Sequence, residues 1–264
     1  MCKTLPNEIS IKKYFLFFLF LIANSFAFSQ YKKELTAVDK SCLEAVIVEK
    51  YYIATALDYV DTVGGAVPKG AITYRIYIDM KPGYKLQAVY GIASHKLKIE
   101  TTTTFFNNTD RGEKTGDLID DNKINENSVA LDSWMTIGAA AKSYFGILKE
   151  EDKDGSILKR NSLLIEDGLK IGNPPKVAYF GVDLSFFNLK ENAKSFITDN
   201  GSCAVFGGIS GPTSNNRVLI AQLTTEGKIS FELNIQIGTP SGGVVQYVAK
   251  NPEGSEILFD ELNY

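Results

Sequence analysis

The sequence predicts an all-β fold, an antiparallel β-sandwich whose topology is jelly-roll-like or immunoglobulin-like. Residues 72–79 alternate apolar with polar side chains, the period of two that is typical of a strand with one buried face. Residues 229–237 carry apolar side chains at five alternate positions, the clearest β pattern in the chain. No long segment shows the 3.6-residue period of an amphipathic helix.

The start of the chain predicts a cleaved secretory signal peptide over residues 1–29. A basic pair precedes an apolar run from Tyr14 to Ala23, which is shorter than the ~20 residues of a membrane span, and small residues follow it. The alternative is an uncleaved anchor. Cleavage after Ser29 leaves residues 30–264 as a single β-sandwich domain, secreted or held at the cell surface, with no later apolar run long enough to cross a membrane.

The charge composition argues against nucleic acid as a partner. The 28 basic and 31 acidic residues are balanced, and no basic patch stands out. The single histidine, His95, excludes a multi-histidine metal site and is expected at the surface near a turn.

Strands are predicted along the chain from β-branched and aromatic segments separated by turn residues. Residues 71–91 form two strands joined into a hairpin by Pro82-Gly83, and residues 218–237 form a second hairpin around a Thr-Glu-Gly turn. Residues 202–212 are rich in glycine but open no evident helix, which argues against a phosphate-binding loop. Further strands are predicted at residues 45–53, 95–106, 129–137, 177–187 and 244–249.

Two cysteines of the mature chain, Cys42 and Cys203, are candidates for a disulfide in an exported protein. A bridge would join the N-terminal segment to a late strand and close a long loop. The alternative is two buried free thiols, because free cysteine packs as a small hydrophobic residue.

A calcium site is predicted in the long acidic loop of residues 107–127. Its central segment resembles the loop of dockerin-type calcium repeats, with Asp117, Asp121 and Asn125 at the first, fifth and ninth positions. Ile119 occupies the third position, where an oxygen ligand is expected, so the alternative is a solvated acidic loop. Calcium is the one cofactor that the sequence suggests.

Three residues are candidates for ligand binding on exposed faces of sheets. Arg75 and Tyr77 lie on the polar side of the strand at residues 72–79, where planar and aromatic groups could contact a glycan or a peptide. Trp134 shares its side of a strand with polar rather than apolar neighbours. The alternatives are an ordinary solvated face for the first two residues and a core position for the tryptophan.

Catalytic residues are not predicted. Four carboxylates lie on predicted strands, but nothing in the sequence pairs any two of them at the set separation that glycoside hydrolysis requires. They are Asp79, Asp132, Asp183 and Glu232.

Three stretches stand out as sequence patterns: PKGAITYRIYIDMKPGYKLQAVYG (residues 68–91), LDSWMTIG (131–138) and GPTSNNRVLIAQLTTEGKISFELNIQI (211–237). Together they resemble modules in uncharacterised secreted β-rich proteins of bacteria that use type IX secretion, over most of residues 45–250. The resemblance implies export but carries no known activity. Such proteins often end in a separate sorting domain, whereas this chain ends at Tyr264 soon after its last predicted strand, so export by the signal peptide alone is expected.

We therefore expect a secreted, non-catalytic binding or structural module whose partner is an extracellular glycan or a cell-surface component. The alternative is a secreted carbohydrate-active enzyme that uses a carboxylate pair. Two carboxylates facing a deep cleft would favour the enzyme, and a flat aromatic surface without such a pair would favour the binder.

Overall fold

Antiparallel β-sheets are the dominant regular structure of the described residues, which confirms the all-β prediction. The computed structural model describes residues 34–59, 64–126, 128–153, 155, 158, 166–189 and 193–264, so the predicted signal peptide lies outside the described residues. Leu35–Tyr264 form one compact unit. Within the described part, no helix is long and apolar enough to cross a membrane.

The strands and helices are numbered in chain order. The strands are β1 (Leu43–Ile53), β2 (Ile72–Met80), β3 (Lys85–Gly91), β4 (Leu97–Thr101), β5 (Trp134–Met135), β6 (Ala139–Ala141), β7 (Tyr144–Gly146), β8 (Leu169–Ile171), β9 (Ala178–Phe180), β10 (Ser195–Thr198), β11 (Gly201–Ile209), β12 (Arg217–Thr225), β13 (Ile229–Glu232), β14 (Asn234–Gly238), β15 (Val244–Val248) and β16 (Ile257–Leu258). A short α-helix, α1, covers Ala56–Tyr59, and 3₁₀ helices cover Asp39–Ser41, Gly116–Leu118, Val129–Leu131, Lys149–Glu151, Leu184–Asn188 and Asp260–Leu262.

The described strands form four sheets. The four-stranded sheet has the order β1-β2-β12-β5, and the six-stranded sheet has the order β16-β15-β14-β3-β11-β9. Two three-stranded sheets have the orders β10-β4-β13 and β6-β7-β8. The pairing of β15 with β16 is parallel.

Both predicted hairpins are wrong, because their strands do not pair. The turn at Pro82-Gly83 forms, with a φ of 88° at Gly83, but β2 belongs to the four-stranded sheet and β3 to the six-stranded sheet. In the same way β12 and β13 lie in different sheets, and the predicted strand at residues 228–237 divides at Leu233 into β13 and β14. Each turn carries the chain between sheets, so both flanking strands bury their apolar sides in one interior.

Two apolar clusters lie on the two sides of the four-stranded sheet. Ile76 of β2 lies in the first cluster together with Leu86 and Ile235 of the six-stranded sheet. Tyr77, on the opposite side of β2, lies in the second cluster, which is completed by side chains from residues 119–169. The central strands β2 and β12 of the four-stranded sheet are therefore buried on both faces, and the alternating residues of 229–237 all lie in the first cluster as predicted.

Cys42 and Cys203 are buried free thiols in the first cluster and do not form the predicted disulfide. The Cys42 sulfur lies 3.4 Å from the hydroxyl oxygen of Tyr247. Burial raises the pKa of both thiols. The two residues pack as small hydrophobic side chains, the alternative that the sequence left open.

Candidate binding face

The three predicted binding residues lie in the interior, so their predicted place on an exposed face is wrong. The exposed fractions of Arg75, Tyr77 and Trp134 are 2%, 0% and 1%. A period-two pattern sets the side of the sheet that a residue faces, but it does not show what covers that side. Here side chains from residues 119–169 cover it.

Hydrogen bonds from Arg75 and Tyr77 attach the covering residues to the four-stranded sheet. Arg75 Nε donates to Gln222 Oε1 at 2.9 Å, and its Nη1 donates to the carbonyl oxygen of Gly168 at 3.0 Å. The Tyr77 hydroxyl donates to the carbonyl oxygen of Ile147 at 2.8 Å. These bonds join β2 and β12 to residues that flank β7 and β8, which is a structural role.

The four carboxylates on predicted strands each have a hydrogen-bond or ion-pair partner. Asp132 is fully buried and accepts hydrogen bonds from the backbone N–H groups of Asn108 and Glu113 at 2.7 and 2.9 Å, and burial raises its pKa well above the usual range. The other partners are Arg217 for Asp79, the Ser185 N–H for Asp183, and Lys98 and Lys250 for Glu232. These contacts are typical of structural carboxylates.

His95 is buried rather than exposed, at 5%. Its Nε2 lies 2.8 Å from Oε2 of Glu256. This contact joins the turn between β3 and β4 to the segment that precedes β16.

The residues of the predicted calcium loop bind separate parts of the chain. Asp117 Oδ2 accepts from the Val177 N–H at 3.3 Å, and Asp121 Oδ1 accepts from the Ser143 N–H at 3.0 Å. Asn125 lies in the following turn. Among the described residues, no group of three or more His, Cys, Asp or Glu side chains gathers in a way that could hold a metal ion.

The loop is also packed against the second cluster. Ile119 and Ile124 are buried within it, at 1% and 3%. This packing explains why apolar residues interrupt the acidic pattern, and the calcium site remains a prediction.

The outer face of the six-stranded sheet carries aromatic, amide and small side chains in register. One row across the strands contains Phe180 of β9, Ser202 of β11 and Tyr90 of β3. The next row contains alanines on these three strands, followed by Gln236 of β14 and Gln246 of β15. The alanines are Ala178, Ala204 and Ala88.

A bulge in β11 places a second phenylalanine on this face. Four residues of β11, from Val205 to Gly208, oppose the single residue Gln87 of β3, because Ala204 pairs with Ala88 and Ile209 pairs with Leu86. Gly207 and Gly208 have φ angles of 78° and 68°, which side chains with a Cβ rarely adopt. Phe206, immediately before these glycines, is 84% exposed.

The two phenylalanines of the outer face are in contact. The ring centroids of Phe180 and Phe206 lie 6.2 Å apart in an edge-to-face arrangement, and Phe180 is itself 53% exposed. Contiguous exposed apolar side chains, unlike apolar residues scattered singly, often mark an interaction site.

A groove of about 490 Å³ runs over this face. Among the described residues that line it there is no aspartate, glutamate, lysine, arginine or histidine. Amide and hydroxyl groups supply its polar atoms: Asn200, Ser202, Gln236, Gln246 and Tyr90. A smaller pocket, of about 250 Å³, lies between residues 64–71 and 104–107 and has one carboxylate, Glu226, in its lining. Neither cavity therefore presents a carboxylate pair.

The sequence reasoning missed the residues of this face, and one signal could have pointed to them. Phe206 is followed by two glycines inside a segment that otherwise alternates as a strand, which is the pattern of a bulge. The alignment of Ala88 with Ala204 and Gln236 depends on which strands pair, and the sequence does not show this.

No protein-family model, curated protein or solved structure matches the chain.

Proposed function

We propose that the protein is a secreted, non-catalytic module that binds an extracellular glycan through the outer face of its six-stranded sheet. The observation that carries this proposal is the uncharged groove of about 490 Å³ bordered by the exposed Phe180–Phe206 pair. Sugar rings present apolar C–H faces that pack on aromatic rings, and their hydroxyls match amides, which both donate and accept hydrogen bonds.

We also propose that this binding module is an exported β-sandwich. Residues of the four-stranded and six-stranded sheets share the first apolar cluster, an arrangement that supports two sheets packed face to face. The signal-peptide pattern of residues 1–29 supports export to the cell surface or beyond. Mass spectrometry of the exported protein should then find an N-terminus near Gln30, whereas an intact Met1 in the membrane fraction would refute cleavage.

A polysaccharide array that is read both for binding and for released sugar tests the function. We expect binding without release, and we expect Phe206→Ala to weaken it because the exposed ring is removed. Ile197→Ala is the control, since Ile197 is 50% exposed but lies on β10 in another sheet.

Two results would overturn the proposal. One is release of sugar that a single carboxylate substitution abolishes, which would establish the enzyme. The other is the absence of binding to every polysaccharide on the array.

A further inference from the structure

We propose that the groove takes one class of glycan, an uncharged and unbranched polysaccharide laid across the β-strands rather than along them. This inference rests on the proposed function and adds to it the chemistry and the direction of the ligand. Its basis is a trough whose floor includes the cross-strand neighbours Ala204 and Ala88, with an aromatic pair at one end and amides at the other.

The direction follows from the register of the strands. Ala178, Ala204 and Ala88 are cross-strand neighbours, so the shortest side chains of the face lie in a line perpendicular to the strands. Phe180, Ser202 and Tyr90 occupy the adjacent row and also line the groove.

The aromatic pair marks the β9 end of the trough. Phe180 lies two residues beyond Ala178 on β9 and pairs with Ser202, whereas Phe206 lies two residues beyond Ala204 on β11. The contact between the two rings therefore crosses the alanine row between β9 and β11 and closes the trough at this end. A sugar ring placed against the exposed sides of the two rings would continue along the trough towards Gln236 and Gln246.

The length of the trough indicates a chain rather than a single sugar. From β11 through β3 and β14 to β15 there are three gaps between strands, and at ~4.8 Å each they amount to about 14 Å. The affinity should therefore rise with the number of sugar units until the trough is filled.

The uncharged lining of the groove favours an uncharged ligand. A uronate, a sulfate or an ammonium group would lose hydration in the groove and gain no oppositely charged partner there.

Calorimetry with matched oligosaccharides tests whether the ligand must be uncharged and whether its affinity rises with its length. The uncharged probes are xylo-, cello-, laminari- and N-acetylchito-oligosaccharides from the disaccharide to the hexasaccharide. The charged probes are hexamers of galacturonate and of chitosan. We expect at least one uncharged series to bind with an affinity that grows with length, and we expect no binding of the charged hexamers.

Ala204→Trp tests the trough itself, because its indole would fill the middle of the alanine row. We expect the affinity for the best uncharged hexasaccharide to fall about tenfold or more, with an unchanged melting temperature since the side chain points outward. Ala37→Trp is the matched control, as Ala37 is exposed and remote from the groove in sequence, and it should bind as the wild type does.

The outcomes separate this inference from the proposed function. If the array shows no glycan binding, both fall. If a glycan binds but Ala204→Trp has no effect, or if a charged hexamer or a single sugar binds equally well, the module still binds glycans and the trough is not its site. Preferential binding of an extended peptide would also overturn the inference.

Discussion

The guanidinium carbon of Arg75 lies 3.6 Å from the centre of the Tyr51 ring in the interior of the protein. The two residues come from the neighbouring strands β2 and β1. The Tyr51 hydroxyl donates to the carbonyl oxygen of Asp167, next to the Gly168 carbonyl that accepts from Arg75. The buried cation is thus stabilised by an aromatic face and by neutral acceptors, which hold the segment before β8 on the sheet.

Replacement of Arg75 should destabilise the fold. Arg75→Met keeps much of the apolar stem but leaves Gln222 and the Gly168 carbonyl without their donor, so we expect the free energy of unfolding to fall by about 2–4 kcal/mol. Denaturant titration measures the change. Arg111→Met is the control, because Arg111 forms partly exposed ion pairs with Asp110 and Glu126 and should lose about 1 kcal/mol or less. Equal losses in the two variants would contradict a special role for Arg75.

Two phenylalanine substitutions should separate stability from binding. Phe231 is 2% exposed and stacks on Tyr264 with ring centroids 5.0 Å apart, so Phe231→Ala should cost about 3–5 kcal/mol. Phe206→Ala removes the same atoms from an exposed position and should change stability by only about 0.5 kcal/mol. Denaturant melts of both variants check the prediction. A loss below about 1 kcal/mol for Phe231→Ala would show that its strand is out of register.

The buried thiols should be inert in the native protein. Burial raises the pKa of Cys203 to about 12, and the thiolate is the reactive form, so a thiol reagent should label neither Cys42 nor Cys203 at neutral pH. Unfolding without a reductant should make both cysteines reactive. A mass that is lower by two hydrogens, with no label after unfolding, would instead demonstrate a disulfide.

The calcium prediction is decided by calorimetry at millimolar calcium. A site in the loop predicts a heat of binding and a rise in melting temperature for the wild type, with both lost in Asp121→Ala. Asp183→Ala is the control, because Asp183 is an acidic residue outside the loop. If the wild type gives neither heat nor a melting shift, the loop serves only as packed connecting structure.

The sequence by itself determined the fold class and the inner faces of the main strands. Alternation identified the buried side of residues 229–237, because a side chain's direction on a strand depends on its immediate neighbours. The same local reasoning placed the turn at Pro82-Gly83 correctly, since proline and glycine set backbone angles without help from distant residues. It also left two free thiols as an open alternative to a disulfide.

The tertiary structure decided which strands pair and which faces are covered. The turn at Pro82-Gly83 is compatible both with a hairpin and with a crossing between sheets, and the choice depends on β11, β12 and β14, more than a hundred residues further along the chain. Arg75 is buried because described side chains between Ile119 and Leu169 cover its side of the sheet. Phe206 is exposed on the β11 bulge, and this bulge is defined by the register of β11 against β3. Pairing and cover are long-range properties, and a local pattern of side chains does not contain them.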